Sequence, residues 1–159
     1  MGKTIKYRRG KKILQRENFI EKQINQMSEI KNILSKYRSI AMVGVSKDLK
    51  KTSTVVMKYL QGYGFKVYPV NPSAEGEKIL GEEVYSQITD INKHIDIVDV
   101  FRPSNEAYEI AKDSVKIGAK VLWLQLGIKD ANAKKLVEEN KMIYIENKCT
   151  KIEYQKYFL

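Results

Sequence analysis

Short apolar runs alternate along this 159-residue chain with stretches of helical periodicity, and that alternation narrows the fold more than any other feature. Ile40–Val43, Phe65–Val70, Ile95–Phe101, Lys120–Gln125 and Met142–Ile145 have the length and β-branched content of buried strands. Between them, helical spacing runs from Thr52 to the stop at Gly62-Tyr63-Gly64, from Arg102-Pro103 to Gly118, and from Asp130 to Asn140. Residues 75–90 read as a loop with a minor strand around Val84-Tyr85-Ser86, and a short C-terminal segment holds Cys149, Glu153 and Tyr157. Strand followed by helix, repeated, predicts an α/β domain with a mainly parallel sheet and helices on both faces. Right-handed crossovers then bring the segments after the strands to one edge, where ligands of such folds bind. Those segments are 44–53, 69–72, 101–103, 125–128 and 147–149.

Ahead of the domain, residues 1–12 carry Lys3, Lys6, Arg8, Arg9, Lys11 and Lys12 without an acidic residue, which predicts a mobile basic tail. Residues 13–37 form an amphipathic helix by pattern, with Ile20, Ile24, Met27, Ile30, Leu34 and Tyr37 three or four apart. Its stripe is expected to pack on the chain's own core or on a second subunit in a homodimer. The domain proper is expected over residues 38–159.

The stretch from Ser39 to Ser53 concentrates the chemistry. A strand stops at Gly44, a polar loop follows, and Thr52 and Ser53 fall where an N-cap belongs. A strand, a glycine turn and a helix N-terminus make a phosphate site, because free N–H groups and the positive end of the helix dipole point at the anion. Lys47, Lys50 and Lys51 add positive charge. The loop is neither G-x-x-x-x-G-K-[ST] nor G-x-G-x-x-G, since Ser46 stands where the second glycine would be. The next strand ends in Pro69-Val70-Asn71-Pro72 without the carboxylate that a nicotinamide site uses on the ribose, which counts against NAD.

A net charge of +10 favours an anionic partner, either a phosphate-bearing ligand or nucleic acid. The single Cys149 allows no internal disulfide, so a reducing, cytoplasmic setting is expected. No apolar run approaches a membrane span, no signal-peptide core follows the N-terminus, and the lone His94 builds no metal site. Asp99, inside a strand, is expected at its open end capping a neighbour, or in a catalytic role.

VGVSKDLKKTS, KVYPVNP, IDIVDVFRPS, KVLWLQLGI and ENKC, in that order over roughly residues 37–154, resemble the small stand-alone CoA-binding proteins. These are single Rossmann-like domains similar to the N-terminal CoA-binding domain of the succinyl-CoA ligase α subunit. The resemblance implies that Gly44, Val45 and Ser46 with Thr52 and Ser53 cradle the CoA diphosphate, and that Lys47 and Lys51 meet the diphosphate or the ribose 3′-phosphate. It implies that Val70, Asn71 and Pro72 border the nucleotide, that Phe101, Arg102 and Pro103 flank the adenosine, and that Gln125, Leu126 and Gly127 face the pantetheine. Cys149 matches the cysteine of the family's terminal motif, either as a small buried hydrophobe or as a partner for the CoA thiol. Relatives often have Asp-Arg where this chain has Asn147-Lys148. Ligase activity is not carried over, because the phosphorylated histidine of those enzymes lies in a further domain and His94 sits in no comparable motif. The expected function is non-catalytic binding of CoA or acyl-CoA. The alternatives are an NAD(P)-dependent oxidoreductase and a nucleic-acid-associated protein acting through the basic tail.

Overall fold

The computed structural model describes the backbone of residues 2–159 and the side chains of residues 10–159. The chain divides into two units, residues 1–36 and residues 37–159. The first is one helix, α1 (Gly2–Lys36), which starts well before Ile13 and so runs through the stretch expected to be a tail. The side chains of residues 1–9, which carry most of that tail's charge, lie outside the described residues.

The second unit is built on five parallel strands: β1 (Ser39–Val43), β2 (Lys66–Val70), β5 (Ile97–Val100), β6 (Val121–Leu124) and β7 (Ile143–Ile145). Two further strands, β3 (Lys78–Ile79) and β4 (Glu82–Glu83), make a small antiparallel hairpin where a minor strand was expected, and Tyr85 adds an isolated bridge to Val70. The helices are α2 (Thr52–Gly62), α3 (Ala107–Lys116), α4 (Ala131–Glu139) and α5 (Thr150–Phe158). Helix α5 occupies the C-terminal segment that the sequence pattern leaves unassigned.

The sheet order is β2-β1-β5-β6-β7, with Val43 level with Val70 and Val100. Side chains alternate across the sheet. Ala41, Val43, Val98, Val100, Leu122 and Leu124 share a buried cluster with Ala107 and Ala111 of α3 and Ala133 and Val137 of α4. The intervening residues Ile40, Met42, Ile97, Val121 and Trp123 are buried on the other face, where α2 and α5 pack together. Both faces are covered, which is why the strands read as continuous apolar runs and not as alternating ones. The fold is Rossmann-like, as the alternation predicts. Strand order reverses between β1 and β5, so the loops that leave these two strands diverge and open a crevice at the carboxyl edge. Among the described residues, no helix is long and apolar enough to cross a membrane, and no cluster of His, Cys, Asp or Glu could hold a metal ion.

Candidate functional site

The crevice begins at Gly44. Its φ of +89° lies in the region that only glycine adopts without strain, and it turns the chain sharply out of β1. A Cβ at this position would lie 2.7 Å from Cδ of Arg102 and 2.9 Å from the carbonyl oxygen of Phe101, so the loops after β1 and β5 touch here. The loop from Val45 to Lys51 is then fixed by its own polar groups. The Ser46 N–H donates to Oγ of Ser53 at 3.1 Å, and the Thr54 hydroxyl donates to the Ser46 carbonyl at 2.7 Å. The Asp48 N–H donates to Oγ of Ser46, and Oδ1 of Asp48 accepts from the Lys50 N–H.

This bonding corrects the expected cap. The N-cap of α2 is Lys51, not Thr52 or Ser53, and no side chain caps the helix. Ser53 is the second residue of the helix and spends its hydroxyl on the loop. The first N–H groups of α2 are thereby left to an outside acceptor.

Asn71, after β2, ties the second wall to the first. Its Nδ2 donates to the Val45 carbonyl at 2.8 Å, while its Oδ1 accepts from the N–H and hydroxyl of Ser73. Replacing Asn71 with alanine should cost about 1–2 kcal/mol, because the Val45 carbonyl loses its donor and the turn at Pro72–Ala74 loses its cap. Asn71→Asp, which keeps the Ser73 bonds and loses only the donor, should cost less. Urea unfolding of the two variants measures the difference, and equal losses would mean that the bonds to Ser73 contribute nothing.

Together these segments enclose a cleft of about 710 Å³. Of the residues singled out in the sequence, Gly44, Ser46, Val70, Asn71, Pro72 and Arg102 line it. Its remaining walls come from Val43 and Ser73, from Ser86, Gln87 and Ile88, and from Asn105 and Glu106 just before α3 with Glu109, Ile110 and Asp113 within it. No sequence signal marked these. The α3 positions are three or four apart, and only the packing of Ala107 and Ala111 against the sheet decides which face of that helix lines the cleft.

Val45, Lys47, Lys51, Thr52, Ser53, Phe101, Pro103, Gln125, Leu126 and Gly127 are not among the lining residues. Val45 and Ser53 are buried, whereas Lys47 and Lys51 are exposed on the loop beside the cleft. Lys47 pairs with Glu77 at 2.8 Å, and Arg102 pairs through Nε and Nη2 with Oε2 of Glu106 at 2.9 Å. Both pairs are about half exposed, so both break at little cost when an anion arrives. The α3 wall is acidic. Lys47, Lys50 and Lys51 thus lie on the loop beside the cleft, and negative charge gathers on its α3 wall.

The β6 and β7 ends form a separate, tightly bonded corner. Gly127 donates its N–H to Oδ1 of Asn147 at 2.7 Å, and Asn147 itself holds a left-handed φ of +54°. Trp123 donates its Nε1–H to the Lys148 carbonyl at 2.8 Å. Leu126 is exposed, and Cys149 is buried at the N-cap of α5.

Gln125 is turned inward. Its Nε2 donates to Oδ1 of Asp99 at 2.6 Å and to Oγ1 of Thr150 at 3.0 Å, and the Thr150 hydroxyl reaches Oδ2 of Asp99 at 3.1 Å. Asp99 is fully buried within β5, not at an open strand end. Burial pushes its carboxyl up to about 7, against the opposing pull of the bonds from Gln125 and Thr150. His94 pairs with Asp96 at 2.6 Å, away from the cleft lining.

Known proteins share this architecture. A family model for the CoA binding domain matches residues 38–155. The protein YneT of Bacillus subtilis is 34% identical over 127 residues, 80% of this chain and 93% of YneT. The ADP-forming acetate–CoA ligase of Methanocaldococcus jannaschii is 30% identical over 83 residues, which are 52% of this chain and 12% of the ligase. Among solved structures, a hypothetical protein from Pyrococcus horikoshii OT3 matches with a TM-score of 0.80 at 34% identity, over 84% of this chain and 92% of that one. A Thermus thermophilus protein matches with a TM-score of 0.80 at 30% identity, over 83% and 98% of the two chains. The family match takes in every strand of the sheet and every wall of the cleft, and α1 lies outside it up to its last residue. The chain belongs to the family of CoA-binding domain proteins.

Proposed function

We propose that this protein binds CoA or acyl-CoA in the cleft after β1, β2 and β5 and carries out no chemistry on it. The observation that carries the reading is the uncapped N-terminus of α2, which follows the loop that Gly44 opens, beside a cleft lined by apolar, neutral polar and acidic groups and by Arg102. A diphosphate at that end accepts from the first N–H groups of α2 and is favoured by the helix dipole. Lys50 and Lys51 stand next to it, and Lys47 and Arg102 join when they leave Glu77 and Glu106. The adenosine end then lies in the cleft, where Val70, Ile88 and Ile110 offer apolar contact, and the 3′-phosphate of its ribose turns toward Lys47 and Lys51 and away from the carboxylates of Glu106, Glu109 and Asp113. A volume of about 710 Å³ suits such a ligand. The names of the acetate–CoA ligases that the chain resembles point to the same chemistry.

Isothermal titration with CoA at two salt concentrations, with NADPH as control, tests this. Saturable binding should weaken as salt rises. It should be lost in Ser46→Glu, which sets a carboxylate among groups arranged for an anion. Ligand-free protein that takes up no CoA, or that prefers NADPH, would sink the proposal.

A further inference from the structure

Helix α1 carries a second recognition surface, independent of the cleft. Its 35 residues make a rod about 50 Å long, and every residue from 11 to 29 is exposed. Along that rod Ile13, Ile20 and Met27 recur at intervals of seven, with Ile24 between the last two. They are 56%, 54%, 41% and 55% exposed, respectively. Helices in water owe most of their stability to packing of an apolar face, and the side chains of this face are about half exposed. A seven-residue apolar repeat is the spacing that pairs helices in a left-handed coil.

The charges around the stripe say what covers it. With Ile13, Ile20 and Met27 at the d positions and Ile24 at an a position, Arg16 falls at g and Glu21 at the following e. These are the two positions that face each other across a parallel pair. Two copies in register would place Arg16 of each beside Glu21 of the other, twice. Glu17, at an a position, weakens the seam and keeps the association modest. A membrane-surface helix would carry lysine and arginine over its polar face. Here the stripe's own stretch, from Ile13 to Asn32, is balanced, with Arg16, Lys22 and Lys31 against Glu17, Glu21 and Glu29, and the basic excess of α1 lies in the twelve residues before it.

We infer that the exposed stripe of α1 pairs with the same stripe of a second copy of this chain, as a parallel two-helix coil. Sedimentation equilibrium of the full chain from low to high micromolar concentration tests it. The wild-type chain should pass from monomer to dimer, and Ile20→Glu with Ile24→Glu should stay monomeric. Arg16→Glu should raise the dissociation constant roughly tenfold, and Arg16→Glu with Glu21→Arg should restore it while leaving the stripe intact. A chain that stays monomeric throughout overturns the inference. So does a dimer that survives the paired glutamates, or a charge exchange that restores nothing. A monomer that co-sediments with anionic phospholipid vesicles would also overturn it, since the stripe would then lie on a membrane.

Discussion

Asparagine at position 99 should abolish most of the loss of stability that the wild-type protein suffers between about pH 4 and pH 7. An unfolded aspartate titrates near pH 4. In the folded protein burial raises the Asp99 carboxyl to about 7. Between those values the native state holds a proton that the unfolded chain has released. Stability from this group is therefore fully present below about pH 4, falls as pH rises, and is gone above about pH 7. Three pH units at 1.36 kcal/mol each set an upper bound on the order of 4 kcal/mol.

Asparagine reproduces the protonated form. Its oxygen can accept from Nε2 of Gln125, and its amide can donate to Oγ1 of Thr150, the two partners that hold Asp99. It titrates at no pH. Urea unfolding of both proteins at several pH values gives the comparison. Parallel stability curves would mean that Asp99 keeps an ordinary affinity for protons. Asp99→Ala should destabilise at every pH, by about 1–3 kcal/mol, because the Gln125 amide loses its buried acceptor.

The same three residues show what sequence reading reaches and where it stops. Asp99 stands out at once as a charge inside an apolar strand. Its partners do not, because Gln125 and Thr150 lie 26 and 51 residues away and meet it only when β6 and α5 are in place. The strands are legible because both faces of the sheet are covered, which makes each run apolar throughout. Helix α5 is not legible. Its cap position is Cys149, with no capping side chain. The loop after β1 is legible as a strand, a glycine and a helix start. Its cap is misread by one residue, because Ser53 has a second use for its hydroxyl that only the folded loop creates. The lysines of that loop are equally visible, whereas the pairing of Lys47 with Glu77 and the acidic face of α3 are tertiary facts.

Gly44 joins fold and site most directly, and Gly44→Ala should damage both. Two costs add. A side chain at a φ of +89° is strained by about 1–3 kcal/mol. The new Cβ also meets Cδ of Arg102 at 2.7 Å and the Phe101 carbonyl oxygen at 2.9 Å. The arginine can swing away. The carbonyl belongs to the backbone leaving β5 and moves only if the loop moves. The total should be about 2–4 kcal/mol of unfolding free energy, with the loop that carries Arg102 displaced from the cleft and CoA binding weakened. Gly76 separates the two costs. Its φ of +78° imposes a similar strain, but a Cβ there meets nothing within 4 Å. Gly76→Ala should therefore lose only the strain and leave titration with CoA unchanged. Equal destabilisation in the two variants would show that the approach of the loops after β1 and β5 is loose enough to take a methyl group. The crevice would then owe its shape to the Asn71 and Ser53 bonds alone.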